Sequence, residues 1–589
     1  MPKSFIETTW WSRSERHKRY RAAKPHCGTA LRVVNRDAER HATIGQKSIA
    51  FGDNDAVPLN HDKGRFMKSK TLRNAEQFVR VMRFVFAVLF AATMLVLSPR
   101  NDRTIRADEP KAASAPRRQF QMTFAKSLRP DAFSGRVVLY FSNTRPQPRE
   151  RLNWFNPEVL VGRDVKDWKP YEPLLIDIDK SDEMLTYPQS LAKVDLSGWR
   201  VQAVARFNAW ERKIGDGAGN GFSSIVTLPM SSGNKPIELP ITELVPERPF
   251  LENDWCKYLK VRSKLLGEFH KQEVTQHAAV MLPASYHAQP QRRYPVIFNI
   301  PGFGGTHFDG VRPQPIAETN DGGVEFIRVT LDPSCPLGHH VFADSANNGP
   351  FGEALVKELI PELDKQFRTD ARPQARFLTG HSSGGWSSLW VMISHPDDFA
   401  GTWSTSPDPV TFEDFQNINL YAPGENMYVD RNGERRPIAR RGNQPALWYR
   451  EFDLMEEVLG PGGQLHSFEA VFSPRGADGK PIRIWDRRTG AVNTDAAKAW
   501  EQYDIRLILE RNWPTLGPKL RGKLHVHMGD LDTFYLEGAT RLLGESLKKL
   551  GSDAVVEMHP GKDHGSILTP QFMTRLRAEM VAKYLAETR

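Results

Sequence analysis

The chain has 589 residues, 40% hydrophobic and 25% charged, a composition typical of a soluble globular protein of about two to four domains. Its formal net charge of +10 lies in the first 107 residues, which hold 21 Lys and Arg against 9 Asp and Glu, whereas the remainder holds 59 against 61. Because the rest of the chain is close to neutral, the charge gives no reason to expect a nucleic-acid partner.

The beginning of the chain has the pattern of a leader. Residues 1–81 are polar, basic and aperiodic, which predicts a disordered segment or a start codon placed too far upstream. The apolar run 84–97 is short for a bilayer span and suits the core of a secretory signal peptide. We therefore expect a signal peptide over 82–107 and export to the periplasm or outside the cell. The alternative is an inner-membrane anchor at 84–97.

The next region, residues 118–245, alternates short apolar runs with turn residues. The runs "GRVVLYFS" (135–142) and "GWRVQAVARF" (198–207) are rich in β-branched and aromatic residues, and breakers such as "DGAGNG" lie between the runs. No long helical period occurs, so the pattern predicts a small antiparallel β-sandwich domain. The segment 243–254 has the composition of a linker.

Residues 255–589 alternate strands with helices, which predicts an α/β domain with a mostly parallel sheet. The predicted strands are 277–283, 294–302, 325–332, 375–380, 400–406, 523–530 and 554–559. The predicted helices are 349–368, 384–394, 536–551 and 569–587. The interval 407–520 interrupts the alternation, and we interpret it as a cap over an active site or a structural excursion.

The segment "RFLTGHSSGGWSSLW" places a serine, Ser382, between a predicted strand and a predicted helix. A strand–turn–helix around G-x-S-x-G predicts a nucleophile elbow, in which the serine oxygen stands exposed above the sheet. The turn brings the residues two before and two after the serine together, so Gly380 and Gly384 are needed there. A serine alcohol also needs an adjacent base to take its proton.

Candidates for that base and its carboxylate follow later in the chain. His564 lies in the loop after the predicted strand 554–559, and two aspartates, Asp530 and Asp532, follow the strand 523–530. We favour Asp532 as the residue that orients the imidazole. The order Ser–Asp–His is that of α/β-hydrolases.

An oxyanion hole requires backbone N–H groups near the serine. Ser383, the residue after the nucleophile, is predicted to supply one, and Phe303 or Gly304 in "NIPGFGGTHFDG" to supply the other. The glycines of that loop would let its backbone approach a substrate.

The sequence resembles a known family at this point. The stretches "GHSSGGWSSLW…HPDDFAGTWSTSPDP", "NGPFGEALVKELIPELDKQFR" and "HMGDLDTFYL" are similar to the putative esterase family of α/β-hydrolases. This family includes esterase D, feruloyl esterases and enterochelin esterases. The resemblance spans about residues 275–585 and implies triad roles for Ser382, Asp532 and His564. Two features differ: Pro301-Gly302 replaces the usual His-Gly of the oxyanion loop, and the interval 407–520 is unusually long.

Further residues are weighed as substrate or metal ligands. His307 and His340, with Asn348, lie in loops that could line the pocket, although hydrogen bonding within the loops is the favoured role for His340 and Asn348. His525 and His527 share one face of a strand, and without a third ligand nearby they are expected to pack or face solvent, so no metal site is predicted. Six arginines of the interval 407–520 suggest an anionic acyl or siderophore-like substrate: Arg435, Arg436, Arg440, Arg441, Arg487 and Arg488.

The sequence therefore predicts an exported serine esterase that works through an acyl-enzyme and needs no cofactor. Its substrate is expected to be a small-molecule or polysaccharide-linked ester. We expect contact with a membrane only through the N-terminal segment. The alternatives are an acyltransferase or serine peptidase on the same fold, and a non-catalytic polysaccharide-binding protein. Cys256 and Cys335 could form one disulfide or remain free thiols.

Overall fold

The computed structural model describes residues 118–180, 184–230, 235–315 and 323–588. They belong to one compact unit, Pro110–Arg589. The predicted leader and signal peptide, 1–107, lie outside the described residues. None of the helices within the described ranges is long and apolar enough to cross a membrane.

A strand-rich region forms the first part of the fold. Its strands are β1 Gln119–Met122, β2 Phe133–Ser142, β3 Leu160–Trp168, β4 Leu174–Asp177, β5 Leu185–Tyr187, β6 Arg200–Ala205, β7 Gly221–Ser223, β8 Val226–Thr227, β9 Ile237–Glu238 and β10 Ile241–Leu244. One sheet has the order β4-β1-β9. The other has the order β10-β7-β6-β2-β3-β5, with β8 paired to β6.

The central strand β2 explains why this region does not stand apart from the rest of the chain. Val137, Leu139 and Phe141 belong to the core of the strand-rich region, whereas Val138 and Tyr140 belong to the large core that includes the second part of the fold. Since successive side chains point to opposite faces, an apolar residue is needed at every position of the run "VVLYF".

The second part of the fold is built on an eight-stranded sheet. Its strands are β11 Cys256–Ser263, β12 Val274–Met281, β13 Val296–Ile300, β14 Ile327–Leu331, β19 Arg376–His381, β20 Gly401–Thr405, β23 Leu524–Gly529 and β24 Val555–His559. Short hairpin strands are β15 Ser334–Cys335, β16 Gly338–His339, β17 Asp344–Ser345, β18 Gly349–Pro350, β21 Pro437–Arg441 and β22 Gln444–Trp448. The sheet order is β11-β12-β14-β13-β19-β20-β23-β24. The pairs β11/β12 and β12/β14 are antiparallel and the others are parallel.

Helices cover both faces of this sheet. They are α1 Lys264–His270, α2 (Phe351–Ala354, the π-helical Leu355–Leu359 and Ile360–Gln366), α3 Ser383–Ser394, α4 Tyr449–Leu459, α5 Gln464–Phe472, α6 Thr494–Trp500, α7 Ile505–Leu520, α8 Glu537–Lys549 and α9 Pro570–Thr588. Short 3-10 turns are His307–Gly310, Pro373–Ala375, Phe412–Asp414 and Glu501–Tyr503. Helix α3 packs against the core that contains Leu524 and Val526, whereas Phe572 of α9 belongs to the core that contains Trp403.

The topology decides where functional side chains can meet. Strands β13, β19, β20, β23 and β24 run parallel, so their carboxyl ends lie at one edge of the sheet. In open α/β sheets ligands bind outside this edge. The segments after these strands carry Gly302, Ser382, Asp408, Asp532 and His564.

The chain between β20 and β23 contains the hairpin β21–β22 and helices α4 to α7. It also holds the strand-rich region in place. Arg136 donates from Nη1 to the carbonyl oxygens of Glu457 and Val458, both at 2.6 Å. A Cβ on Gly162 would stand 2.3 Å from the Val458 oxygen, so only glycine permits this approach of β3 to α4.

The two cysteines of the described residues, Cys256 and Cys335, are buried free thiols. Burial raises the pKa of the Cys335 thiol to about 12 and also raises that of Cys256. Of the two alternatives from the sequence, the structure therefore has unpaired thiols, and burial keeps them protonated and unreactive.

Candidate active site

Ser382 lies at the sharp turn between β19 and α3, where it is the N-cap residue of the helix, with φ 59° and ψ −127°. A non-glycine residue adopts this conformation only when its surroundings enforce it, and such strain is concentrated at functional sites. Two glycines allow the close backbone contacts that hold Ser382 in this conformation. A Cβ on Gly380 would stand 2.1 Å from the Gly384 oxygen, and one on Gly384 would stand 1.9 Å from the Ile300 oxygen. The backbone around Ser382 is thus that of a nucleophile elbow.

His564 and Asp532 are joined at the same edge of the sheet. His564 Nδ1 lies 2.7 Å from Asp532 Oδ2, and Asp532 is fully buried. The other carboxylate oxygen, Oδ1, accepts from the backbone N–H of Phe534 at 2.8 Å. Burial opposes a charge on His564, but the carboxylates of Asp532, Asp408 and Asp563 together outweigh burial, so the pKa of His564 lies above its usual value. Asp530 instead accepts from the Gly561 N–H at 2.7 Å.

The sequence analysis missed a buried carboxylate beside Ser382. The Ser382 hydroxyl donates to Asp408 Oδ1 at 3.4 Å, and the Ser383 hydroxyl donates to Asp408 Oδ2 at 2.5 Å. Burial raises the pKa of Asp408 to about 6, against the lowering effect of the Ser383 hydrogen bond. The signal available in the sequence was the position of Asp408, three residues after β20, which neighbours the strand of the nucleophile.

The loop after β13 contacts the elbow directly. A Cβ on Gly302 would stand 3.2 Å from Ser382 Cβ and 2.9 Å from the His381 oxygen, so this loop crosses close to the nucleophile only because it has glycine there. Phe303 follows, and Gly304 has φ +93°. The Ser383 N–H is the first of α3, where N–H groups have no acceptor within the helix. Of the predicted oxyanion residues, Ser383 directly follows Ser382, and Phe303 and Gly304 come directly after the glycine that contacts it.

The pocket above Ser382 has walls from three parts of the fold. Ser382 and Asp408 line its base, and its sides are mostly aromatic or aliphatic: Trp154, Phe155, Ile438, Leu447, Phe452, Leu465, Phe468, Phe534 and Leu536. Trp154 comes from the strand-rich region, and its ring lies 5.4 Å from that of Phe303 and 5.5 Å from that of Phe452. No local pattern in the sequence indicates that this distant segment reaches the site.

One protein-family model matches the part of the chain that contains Ser382. Residues 272–547 match the model of the family described as Putative esterase. This segment, just under half of the chain, resembles that esterase family. The chain is thus a carboxylic-ester hydrolase with the α/β-hydrolase fold, as the resemblance in the sequence implied. The match includes Ser382 and Asp532 and ends before His564.

Solved structures similar to this esterase were also found. A ferulic acid esterase is 16% identical, with a TM-score of 0.34, over 56% of this chain and 100% of that one. An S-formylglutathione hydrolase from Agrobacterium tumefaciens is 15% identical, with a TM-score of 0.33, over 55% of this chain and 94% of that one. Dipeptidyl peptidase 4 from Porphyromonas gingivalis is 10% identical, with a TM-score of 0.32, over 73% of this chain and 48% of that one.

The buried Asp408 predicts a pH-dependent stability of the esterase. Because its pKa is raised to about 6, the folded state favours the protonated form, and stability is lost as the pH rises from the unfolded pKa through the folded one. Asp408→Asn removes this loss. We expect the variant to gain about 2–3 kcal/mol of unfolding free energy at pH 8 and little at pH 4, measured by urea unfolding at both pH values. An equal gain at both values would contradict this prediction.

The same substitution predicts a change in the pH profile of the esterase. The Asp408 carboxylate is one of the charges that raise the pKa of His564, after Asp532. Without it, the acid limb of kcat/KM should move to lower pH, and the ratio of activity at pH 5.5 to that at pH 8 should rise. A profile that falls in amplitude without moving would show that Asp408 only supports the geometry.

Three residues predicted to contact the substrate lie elsewhere in the structure. None is among the described residues that line the Ser382 pocket. His340 is buried and stacks on Phe351 at 3.6 Å, and Asn348 is buried beside Cys335, so both lie packed within the loops, the role favoured for them in the sequence analysis. His307 is also buried, with Nδ1 2.6 Å from Asp332 Oδ2. Hydrogen bonding and packing inside the loops explain all three positions.

Four of the six arginines singled out in the interval 407–520 are paired with carboxylates. Arg436 pairs with Glu425 at 2.6 Å, and Arg440 pairs with Glu537 at 2.6 Å. Arg435 pairs with Glu451. Arg487 lies among three carboxylates, those of Asp453, Glu457 and Glu469. Arg441 lies over the ring of Phe155, with 5.6 Å from its guanidinium carbon to the ring centre. These contacts favour a structural role for the five arginines and so weaken the suggestion of an anionic acyl group.

Proposed function

We propose that the protein is an exported serine esterase in which Ser382 is the nucleophile, His564 the general base and Asp532 the residue that orients His564. The observation that carries the proposal is the conformation of Ser382, at φ 59° and ψ −127° at the start of α3. The His564–Asp532 pair after the neighbouring strands supports it. The export part is supported by the sequence pattern of residues 82–107 alone.

The reaction follows the usual two steps of acyl transfer. His564 Nε2 takes the proton of Ser382 as Oγ attacks the ester carbonyl, and the N–H groups of Ser383 and of Phe303 or Gly304 stabilise the oxyanion. Collapse breaks the bond to the alcohol oxygen, which leaves with the proton from His564. Water then loses a proton to His564 and attacks the acyl-enzyme, and the acid leaves as Ser382 recovers its proton.

The hydrogen bond from Ser382 to Asp408 has a consequence for the first step. The hydroxyl must turn from Asp408 to His564 before its proton can be transferred. At 3.4 Å the bond to Asp408 is long and weak, so the turn costs little. Asp408 is therefore a positioning residue that holds the resting hydroxyl, while its charge also favours the imidazolium that forms.

The pocket indicates the chemistry of the substrate. Its aromatic and aliphatic walls favour an apolar or aromatic acyl group. Gln416 and Gln464 are its polar side chains beside Ser382 and Asp408, and they suit hydroxyl substituents on that group. We therefore propose esters of aromatic or medium-chain acids as substrates, in place of anionic acids.

A fluorophosphonate probe tests the nucleophile. We expect one covalent label per chain, located on the peptide that contains Ser382 by mass spectrometry and prevented by heat denaturation. Esters of p-nitrophenol with benzoyl, acetyl and succinyl groups test the acyl preference, and the benzoyl ester should exceed the succinyl ester at least about 10-fold in kcat/KM. A label on another serine would contradict the proposed nucleophile, and a preference for succinyl would contradict the proposed acyl group.

A further inference from the structure

Three side chains with lone pairs meet on the face of the sheet that α9 covers. His527 of β23 is paired in register with Glu557 of β24, and His559 lies two residues after Glu557 on the same face. His527 is fully buried, Glu557 and His559 are partly exposed, and Phe572 of α9 lies beside both histidine rings. The cluster is separate from Ser382, because α3 covers the opposite face of the sheet.

The distances within this cluster fit one face of a tetrahedral metal site. His527 Nδ1 lies 3.4 Å from His559 Nε2 and 3.4 Å from Glu557 Oε2, and His559 Nε2 lies 3.9 Å from Glu557 Oε1. Zinc holds nitrogen and oxygen ligands at about 2.0–2.2 Å, so adjacent ligand atoms of a tetrahedral ion stand about 3.3–3.5 Å apart. Movements of a few tenths of an ångström would complete the three contacts.

The side chains of His527, Glu557 and His559 have more lone pairs than ring N–H protons to hydrogen-bond with them. The ring of His527 is fully buried, and a neutral imidazole brings a single N–H proton to such a cluster. His527 Nε2 is buried without a hydrogen-bond partner among the described residues, so the polar contacts of this ring are made through Nδ1. A cation between the three atoms would satisfy their lone pairs together, and two imidazoles with one carboxylate are a donor set that zinc accepts.

Arg575 of α9 occupies the outer side of the carboxylate. Its Nη1 and Nη2 donate to Glu557 at 3.2 and 2.5 Å, and its Nε donates to Glu579 at 2.9 Å. The Arg575 side chain is 45% exposed and can turn into solvent. A metal ion and this guanidinium would compete for the same carboxylate. Removal of the guanidinium should therefore strengthen metal binding, an effect that a cluster held only by hydrogen bonds would not show.

We propose that His527, Glu557 and His559 form a binding site for a divalent transition-metal ion, of which zinc fits best. The fourth position is left to water on the exposed side of Glu557. The ion would fasten β24 to β23 just before the loop that carries His564, so its role is structural. Sequence spacing could not reveal the site, because two of its ligands lie on another strand.

Co²⁺ alone, added to the purified full-length protein after treatment with chelator, tests the site. We expect one tetrahedral or five-coordinate Co²⁺ per chain by visible absorption, displaced by an equivalent of Zn²⁺. His559→Gln and Glu557→Gln should each weaken binding at least about 10-fold, whereas Arg575→Gln should tighten it by a similar factor. Both ligand positions are partly exposed, so these variants should fold.

His525→Gln is the matched control, because His525 lies on the same face of β23 but stacks on Trp403 at 4.4 Å. It should leave the Co²⁺ affinity within about twofold. Zn²⁺ should raise the thermal midpoint of the wild type and of His525→Gln but not that of Glu557→Gln. Equal affinities in the wild type, His559→Gln and Glu557→Gln would overturn the proposal, as would an Arg575→Gln variant that binds no more tightly.

Discussion

Ser382→Ala should lower kcat/KM for a p-nitrophenyl ester at least about 10⁴-fold. The substitution removes the atom proposed to form the acyl-enzyme, and only the proposed oxyanion donors and the pocket remain. Alanine meets the same backbone strain as serine at φ 59°, so the thermal midpoint should stay within about 2 °C. Initial rates and thermal unfolding of the same preparations provide the measurement.

Ser383→Ala is the matched control for that experiment. Ser383 is the next residue, and its hydroxyl donates to Asp408, but the function proposed for it uses the backbone N–H. We expect its kcat/KM to fall less than about 10-fold. If Ser382→Ala retained activity while Ser383→Ala lost it, the nucleophile would be Ser383 and not Ser382.

Asp532→Asn should lower kcat about 10³- to 10⁴-fold with little change in KM. The reason lies in the second contact of this side chain. Asp532 Oδ1 accepts from the Phe534 N–H at 2.8 Å, which would fix the orientation of an asparagine and turn its NH₂ toward His564 Nδ1. The imidazole would then carry its proton on Nε2, the nitrogen that must accept the proton of Ser382.

Asp530→Asn separates this effect from a general loss of charge near the loop. Asp530 accepts from the Gly561 N–H, and an asparagine oxygen can accept the same hydrogen bond. Its kcat should therefore change less than about threefold, measured with the same ester. Similar losses in both variants would show that the loop between β24 and α9 needs both carboxylates, and would remove the special role of Asp532.

The parts of the site that follow from local chain geometry could be predicted from the sequence. The elbow around Ser382 depends on two glycines within four residues, and β19 and α3 have nearly the predicted bounds. Asp532 follows the buried strand β23 and His564 follows the partly exposed edge strand β24, and parallel strands bring such positions to one edge. The pairing of Asp532 with His564 is thus a consequence of sheet topology.

The parts that depend on contacts between distant segments could not be predicted. Strand β11, Cys256–Ser263, was missed because it lies at the sheet edge and alternates polar with apolar residues. Helix α2 was predicted as a regular helix, but its middle, Leu355–Leu359, is π-helical. Asp408 was not predicted because the sequence does not show that β20, three residues before it, pairs with the strand that ends just before Ser382. The arginines of the cap were interpreted without their carboxylate partners.

The contribution of Trp154 has a consequence for how new specificities could arise in this protein. The wall that it forms belongs to the loop between β2 and β3, whose length and composition are free of the constraints that the nucleophile imposes on its own surroundings. Exchange of that loop for one from a homologue could alter the preferred acyl chain and leave the reaction centre unchanged. The loop between β2 and β3 is therefore a place where the sequence can change while the residues around Ser382 stay the same.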